Sequence, residues 1–282
     1  MKTKFSLYLI IAILFLTTNC TKDKNEGGEA PELPALETMA LDFSTFIDNE
    51  KSGSLQSTAV VQPSINFGVA YITVSVWNSL LFTNLAIPVV AYEYSFSSLP
   101  EYVGDNKWEW SYTLGGEYSS FSAILTGEKR TEDIKWEMRV SHAGTNGFSD
   151  FLWFEGTSKI GGSEGQWILY HSPAFPEKVV TIDWEASGDV INNVKYSYVR
   201  ELDNDRNADS FNGSTLEYGV DDDAGFFYYD IHYYNAQESR FVDVNIELNK
   251  SDHSGRIKST NWPGGNTDWH CWDSNFQNTD CE

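Results

Sequence analysis

Along most of this chain apolar and polar residues alternate one for one. Trp108, Trp110, Tyr112 and Leu114 alternate with Glu109, Ser111 and Thr113. Ile134, Trp136, Met138 and Val140 alternate with Lys135, Glu137 and Arg139, and the same rhythm returns over 180–184, 194–198 and 242–248. A period of two, with one dry and one wet face, is the pattern of antiparallel sheet. Turn-forming breaks separate the runs, among them Gly115-Gly116, Gly161-Gly162, Gly188-Asp189 and the stretch 221–225. Their spacing predicts an up-and-down meander of about ten strands over residues 107–274. Two runs are apolar on both parities: Phe151-Leu152-Trp153-Phe154 and Phe226-Phe227-Tyr228-Tyr229. A second layer, a ligand or a partner is expected to cover their other face.

One segment breaks the rhythm. From Ser52 to Tyr92 there is no charged residue, in a chain where 21% of residues are charged. Phe67, Ala70, Tyr71, Val74, Trp77, Leu81 and Leu85 fall at helical spacing, so the pattern predicts a helix over 66–87, capped by Asn66 and ended or kinked by Pro88. The many Val, Ile and Thr residues leave a buried hairpin as the alternative. The run is long enough to span a bilayer, but Asn66, Asn78 and Asn84 favour a buried helix. An apolar sheet face must close on itself or be covered. The expected fold is therefore mainly β: a curved sheet or partly closed barrel whose concave aromatic face packs around one N-terminal buried helix. In architecture this looks like the half-barrels of periplasmic lipoprotein carriers.

The N-terminus has its own grammar. Lys2 and Lys4 precede an apolar run over 5–16 that is shorter than the ~20 residues of a membrane span, which reads as a signal peptide over 1–19. It closes on Leu16-Thr17-Thr18-Asn19-Cys20, which resembles the lipobox of bacterial lipoproteins. The resemblance implies cleavage before Cys20, diacylation of that cysteine and anchoring through lipid. Cys271 and Cys281 are then an even pair in an exported chain and read as one disulfide. Residues 20–36 are polar and proline-containing, a flexible tether, and 37–282 form a single β-rich domain beginning with a short strand at Met39, Leu41 and Phe43. Thr21 rather than Asp after the anchor suggests the outer membrane. Lys22-Asp23-Lys24-Asn25-Glu26 looks like the export tag of Bacteroidota surface lipoproteins, which leaves the periplasmic face or the cell surface.

A formal net charge of −22 excludes nucleic acid and adhesion to anionic headgroups. The membrane is thus expected as a partner through the N-terminal lipid only. Candidate chemistry is thin. Asp203, Asp205, Asn207 and Asp209 alternate as calcium ligands would, but Ala208 stands where glycine is needed and Ser214 where a bidentate glutamate is needed, so a solvated loop is the better reading. His270 beside Cys271 is too few ligands for zinc. Glu137 with Asp183 stands for the many carboxylate pairs a glycoside hydrolase could use. Gly165-Gln166-Trp167 matches the Gly-x-Trp of lipocalins, at a different place in the meander. No nucleophile sits in a recognisable setting, and no cofactor is implied.

The strings "ALDFSTF", "WEWSY", "WFEGTS", "STLEYG" and "HCWDS", with the lipobox, resemble an uncharacterised family of Bacteroidota outer-membrane lipoproteins. The expected function is a non-catalytic module binding an apolar or glycan ligand through aromatic residues, with Trp153, Phe154, Trp167, Tyr228 and Tyr229 as candidate contacts. A glycan-active hydrolase using acidic residues and a structural lipoprotein docking an envelope protein are the alternatives.

Overall fold

A computed structural model describes residues 27–40, 65–118, 120–188 and 190–281. Residues 1–19, read from the sequence as a signal peptide, Cys20 and most of the strand expected from Met39 to Phe43 lie outside them. The body is one antiparallel sheet in which every strand pairs with its neighbours in the chain. It opens with β1 (Glu101–Gly104), β2 (Lys107–Thr113), β3 (Phe121–Lys129), β4 (Asp133–His142) and β5 (Phe148–Lys159). It continues through β6 (Glu164–Ser172), β7 (Phe175–Ser187), β8 (Val190–Tyr198), β9 (Thr215–Asp221) and β10 (Phe226–Asn235). It ends with β11 (Arg240–Asn249), β12 (Gly255–Ser259), β13 (His270–Trp272) and β14 (Asn278–Thr279). The meander is as the alternation predicts, but it has fourteen strands rather than about ten. Its short strands β1, β13 and β14 are two to four residues long, too short to show a period. The sheet does not close, since β1 and β14 pair only inward.

A row of tryptophans and glycines shapes the concave face. Trp108, Gly127, Trp136, Gly156 and Trp167 are successive cross-strand partners from β2 to β6. Each large ring lies over the bare backbone beside it. A Cβ on Gly127 would come 2.7 Å from the ring of Trp136, and Cβ atoms on Gly156, Gly165 and Gly255 would run into Trp167, Trp184 and Trp272. Gly165 of the Gly-x-Trp string thus makes room for Trp184. Burial of these indoles, all at most 3% exposed, forms much of the core.

The uncharged segment is a helix, α1 (Ile65–Ser95), and not a hairpin. It touches β2, β3 and β4 toward one end and β12, β13 and β14 toward the other, so it bridges the two flanks of the open sheet. Phe67, Ala70, Val74, Trp77 and Leu85 are buried as its periodicity predicts, whereas Tyr71 is 38% exposed. Pro88 neither ends nor bounds the helix, which runs seven residues further. Ala91, Tyr92 and Ser95 are fully buried beyond it, and packing of that order overrides the cost of an interior proline. Asn66 is not the cap but lies inside the first turn. Its Nδ2 donates to the carbonyl of Cys271 at 2.8 Å, and its backbone N–H is received by Oδ1 of Asn278.

The helix shares the interior. The described part of the segment read as a tether, together with residues 37–40, is a strap packed on the concave face. Pro31 and Pro34 are buried. The hydroxyl of Tyr92 donates to the carbonyl of Pro34 at 2.5 Å, and Trp167 Nε1 donates to Thr38 Oγ1 at 3.0 Å. Met39 is wholly buried after a short 3-10 turn, and its carbonyl accepts from Tyr196.

Candidate functional site

Four of the five aromatic residues expected to contact a ligand belong to this core. Phe154, Trp167 and Tyr229 are at most 1% exposed and Trp153 is 6% exposed. Two register shifts in β5 explain its run of apolar residues: Met138 faces Phe154, the next partner is Leu152 facing Arg139, and Trp153 is the extra residue of the bulge. Phe151, Trp153 and Phe154 therefore all serve the inner face. Tyr229 packs on Tyr218 at 5.0 Å. Tyr228 points outward, covers Gly219, and its hydroxyl accepts from Asn193 Nδ2 at 2.7 Å.

The outer face carries a second aromatic group. Tyr234 on β10 is opposite Phe241 on β11, and His232 is opposite Asp243. The rings of His232 and Phe241 stack at 4.6 Å with 5° between their planes. Tyr234 meets Phe241 edge-on at 5.5 Å, and Phe211, from the loop between β8 and β9, meets Tyr234 at 6.3 Å. Gly213, at φ 94°, turns that loop beside Phe241. Phe211 and Phe241 are 37% and 36% exposed, unusual for phenylalanines on the wet side of a sheet. Polar groups rim the row. His232 Nδ1 lies 2.6 Å from Asp243 Oδ1, and Arg240 donates to Glu238 and Asn261. Exposed ring surface beside carboxylate, guanidinium and amide groups suits a ligand with an apolar face and several hydroxyls. The sequence held part of the signal: His232, Tyr234 and Phe241 stand at the wet parity of their strands, while Phe211 comes from a loop.

The acidic loop has another role. Asp203 Oδ1 accepts from the backbone N–H groups of Asp205 and Asn207, both at 2.9 Å. Asp209 accepts from the Phe211 N–H and from the hydroxyl of Tyr198. These carboxylates shape the turn, and among the described residues no three His, Cys, Asp or Glu side chains are gathered to hold a metal. Arg200, 5% exposed, anchors the loop: it donates to Asn204 Oδ1 at 2.6 Å, meets Glu177 at 3.4 Å and lies 3.4 Å from His171 Nε2. Burial, and then the Arg200 charge, hold the His171 pKa below its ordinary value. Burial, reinforced by the bond to Asp209, pushes Tyr198 up to about 12.

Glu137 and Asp183 are on β4 and β7, with two strands between them. Three strand spacings and a two-residue offset in register separate their backbones by about 16 Å, whereas glycoside hydrolysis uses carboxyl groups ~5–9.5 Å apart. Glu137 is held by Lys135 at 2.6 Å, and Asp183 accepts from Gln166 at 2.5 Å. Cys271 and Cys281 form a disulfide with Cα atoms 5.3 Å apart. The chain matches no family model, no curated protein and no solved structure, so the outer aromatic row and its polar rim are the basis for its functional reading.

Proposed function

We propose that this protein is a lipid-anchored component of the outer membrane that binds neutral glycan without catalysis, on the outer face of β10 and β11. The observation carrying this reading is the outer-face row of exposed Phe211 and Phe241 with half-buried Tyr234 and His232, beside Asp243 and Arg240. Flat ring surface accepts the C–H face of a pyranose, and the rim groups offer acceptors and donors to its hydroxyls. The net charge of −22 disfavours uronates and sulfated sugars, so a neutral saccharide fits best. An apolar ligand in the hollow fits less well, because α1 and the strap pack on the same concave face. Cys20, closing an apolar leader, supplies the anchor in this reading.

Glycan-array screening of the purified chain, followed by titration of the best saccharide, tests it. Phe241→Ala and Phe211→Ala should each weaken binding by about tenfold, the loss of an aromatic anchor. Melting temperature should change little, since both rings are half outside the core. Failure of the unaltered chain to retain any neutral saccharide overturns the proposal.

A further inference from the structure

Exposed apolar residues are unevenly placed on this molecule. More than half of the large apolar side chains that the described chain exposes fall between residues 65 and 103. Ile65, Ile72 and Val76 are each more than half exposed. Their spacings of seven and four put them on one face of α1, opposite the buried line of Phe67, Ala70 and Val74. Past the helix end, about 30 Å along the axis from Val76, Phe96 and Leu99, with Val103 on the edge strand β1, form a second exposed apolar group, and Leu99 is 93% exposed. These residues lie along the opening of the sheet, which α1 spans. No charged residue occurs on α1 before Glu93. A bare aliphatic stripe on a solvent-facing helix marks a contact surface.

The course of the chain indicates what covers it. Gly27 lies against the ring of Tyr102 on β1, so the backbone reaches the body beside Leu99 and Val103. Cys20 is only seven residues further toward the N-terminus, about 24 Å at full extension. An acyl anchor there brings the bilayer within reach of this side of the molecule. Glu93, Glu101 and Asp105 border the stripe, so the compatible headgroups are zwitterionic rather than anionic. Contact is shallow, since no described helix is long and apolar enough to cross a membrane. We infer that the opening of the sheet rests on the bilayer, with Ile72, Val76 and Leu99 in the interfacial region. This orients the body as well as tethering it, and it rests on the lipid-anchoring reading.

The test uses the full acylated chain in phosphatidylcholine and phosphatidylethanolamine vesicles that contain doxyl-labelled lipid. A fluorophore is placed at Ile72→Cys or Leu99→Cys, and at Asp230→Cys on the outer face as the control; near-ultraviolet circular dichroism verifies the fold of each. Labels at positions 72 and 99 should shift to the blue and be quenched several-fold more than the label at 230. Equal quenching at all three positions in an acylated chain overturns the orientation. A blue shift that needs no vesicles and grows with protein concentration assigns the stripe to a second copy, which also overturns it. Mass spectrometry of Cys20 reads the anchor separately: an unacylated cysteine removes the anchoring reading and this inference with it.

Discussion

Gly156 has no side chain because Trp167 occupies the space one would need, and Gly127, Gly165 and Gly255 stand in the same relation to other indoles. At Gly156 the obstruction also includes the carbonyl of Gln166, which belongs to a paired strand and cannot step aside. Gly156→Ala should therefore lower stability by about 1–3 kcal/mol, the usual cost of overpacking, seen as a lower denaturant midpoint with an unchanged slope. His171 gives a second prediction at this scale. Its folded pKa lies below the unfolded value near 6.5, so the unfolded chain binds the extra proton first. Stability contributed by the neutral ring is complete above that value and is lost as pH falls through it toward the folded pKa. Melting temperature should decline between pH 7 and pH 5, and His171→Asn should flatten that decline; an identical slope in the variant removes His171 as its source. Residue types alone placed Trp108, Trp136 and Trp184 indoors, because parity assigns them to the dry face. Parity failed at Trp153, where a bulge adds a residue that alternation does not count.

At the scale of elements, the helix is legible from a 3.6 period in a charge-free run, but its C-terminal limit is not. Pro88 is a sound stop signal for an isolated helix, and only the burial of Ala91, Tyr92 and Ser95 carries the element past it. The strap was hidden for a different reason. A polar segment with two prolines has no period, and nothing local shows that Pro31 will pack over Gly127 or that Thr38 will receive an indole N–H. The disulfide binds elements together beyond its own loop. Cys271 offers its carbonyl to Asn66, and Asn278, inside the loop, receives a first-turn N–H of α1. Reduction should cost about 2–3 kcal/mol by loop-closure reasoning. Amide exchange should rise at residues 65–70 as well as at 270–281; a rise confined to the loop would mean that the helix end is held by packing alone.

At the scale of the whole molecule, a sheet without closure is completed by a helix across its opening and a strap on its concave face. This division gives the protein three distinct surfaces: an inner one filled by its own chain, an outer one carrying the aromatic row, and the apolar stripe along the opening. Fold class followed from alternation, because period two over many runs leaves few other solutions. The candidate site did not, because Phe211 comes from a loop and reaches Tyr234 only once the turn shaped by Asp203 and Asp209 is made.

The strict chain-order pairing of the strands also sets an order of events. Each hairpin can zip onto its predecessor as the polypeptide emerges, since no strand waits for a distant partner. The helix cannot. It is made before every strand, yet Phe67 rests on Trp272 and Phe276, almost at the other terminus. A chain halted before residue 270 would hold a nearly finished sheet with its earliest-made helix half undocked, its sticky flank open to any apolar surface it met.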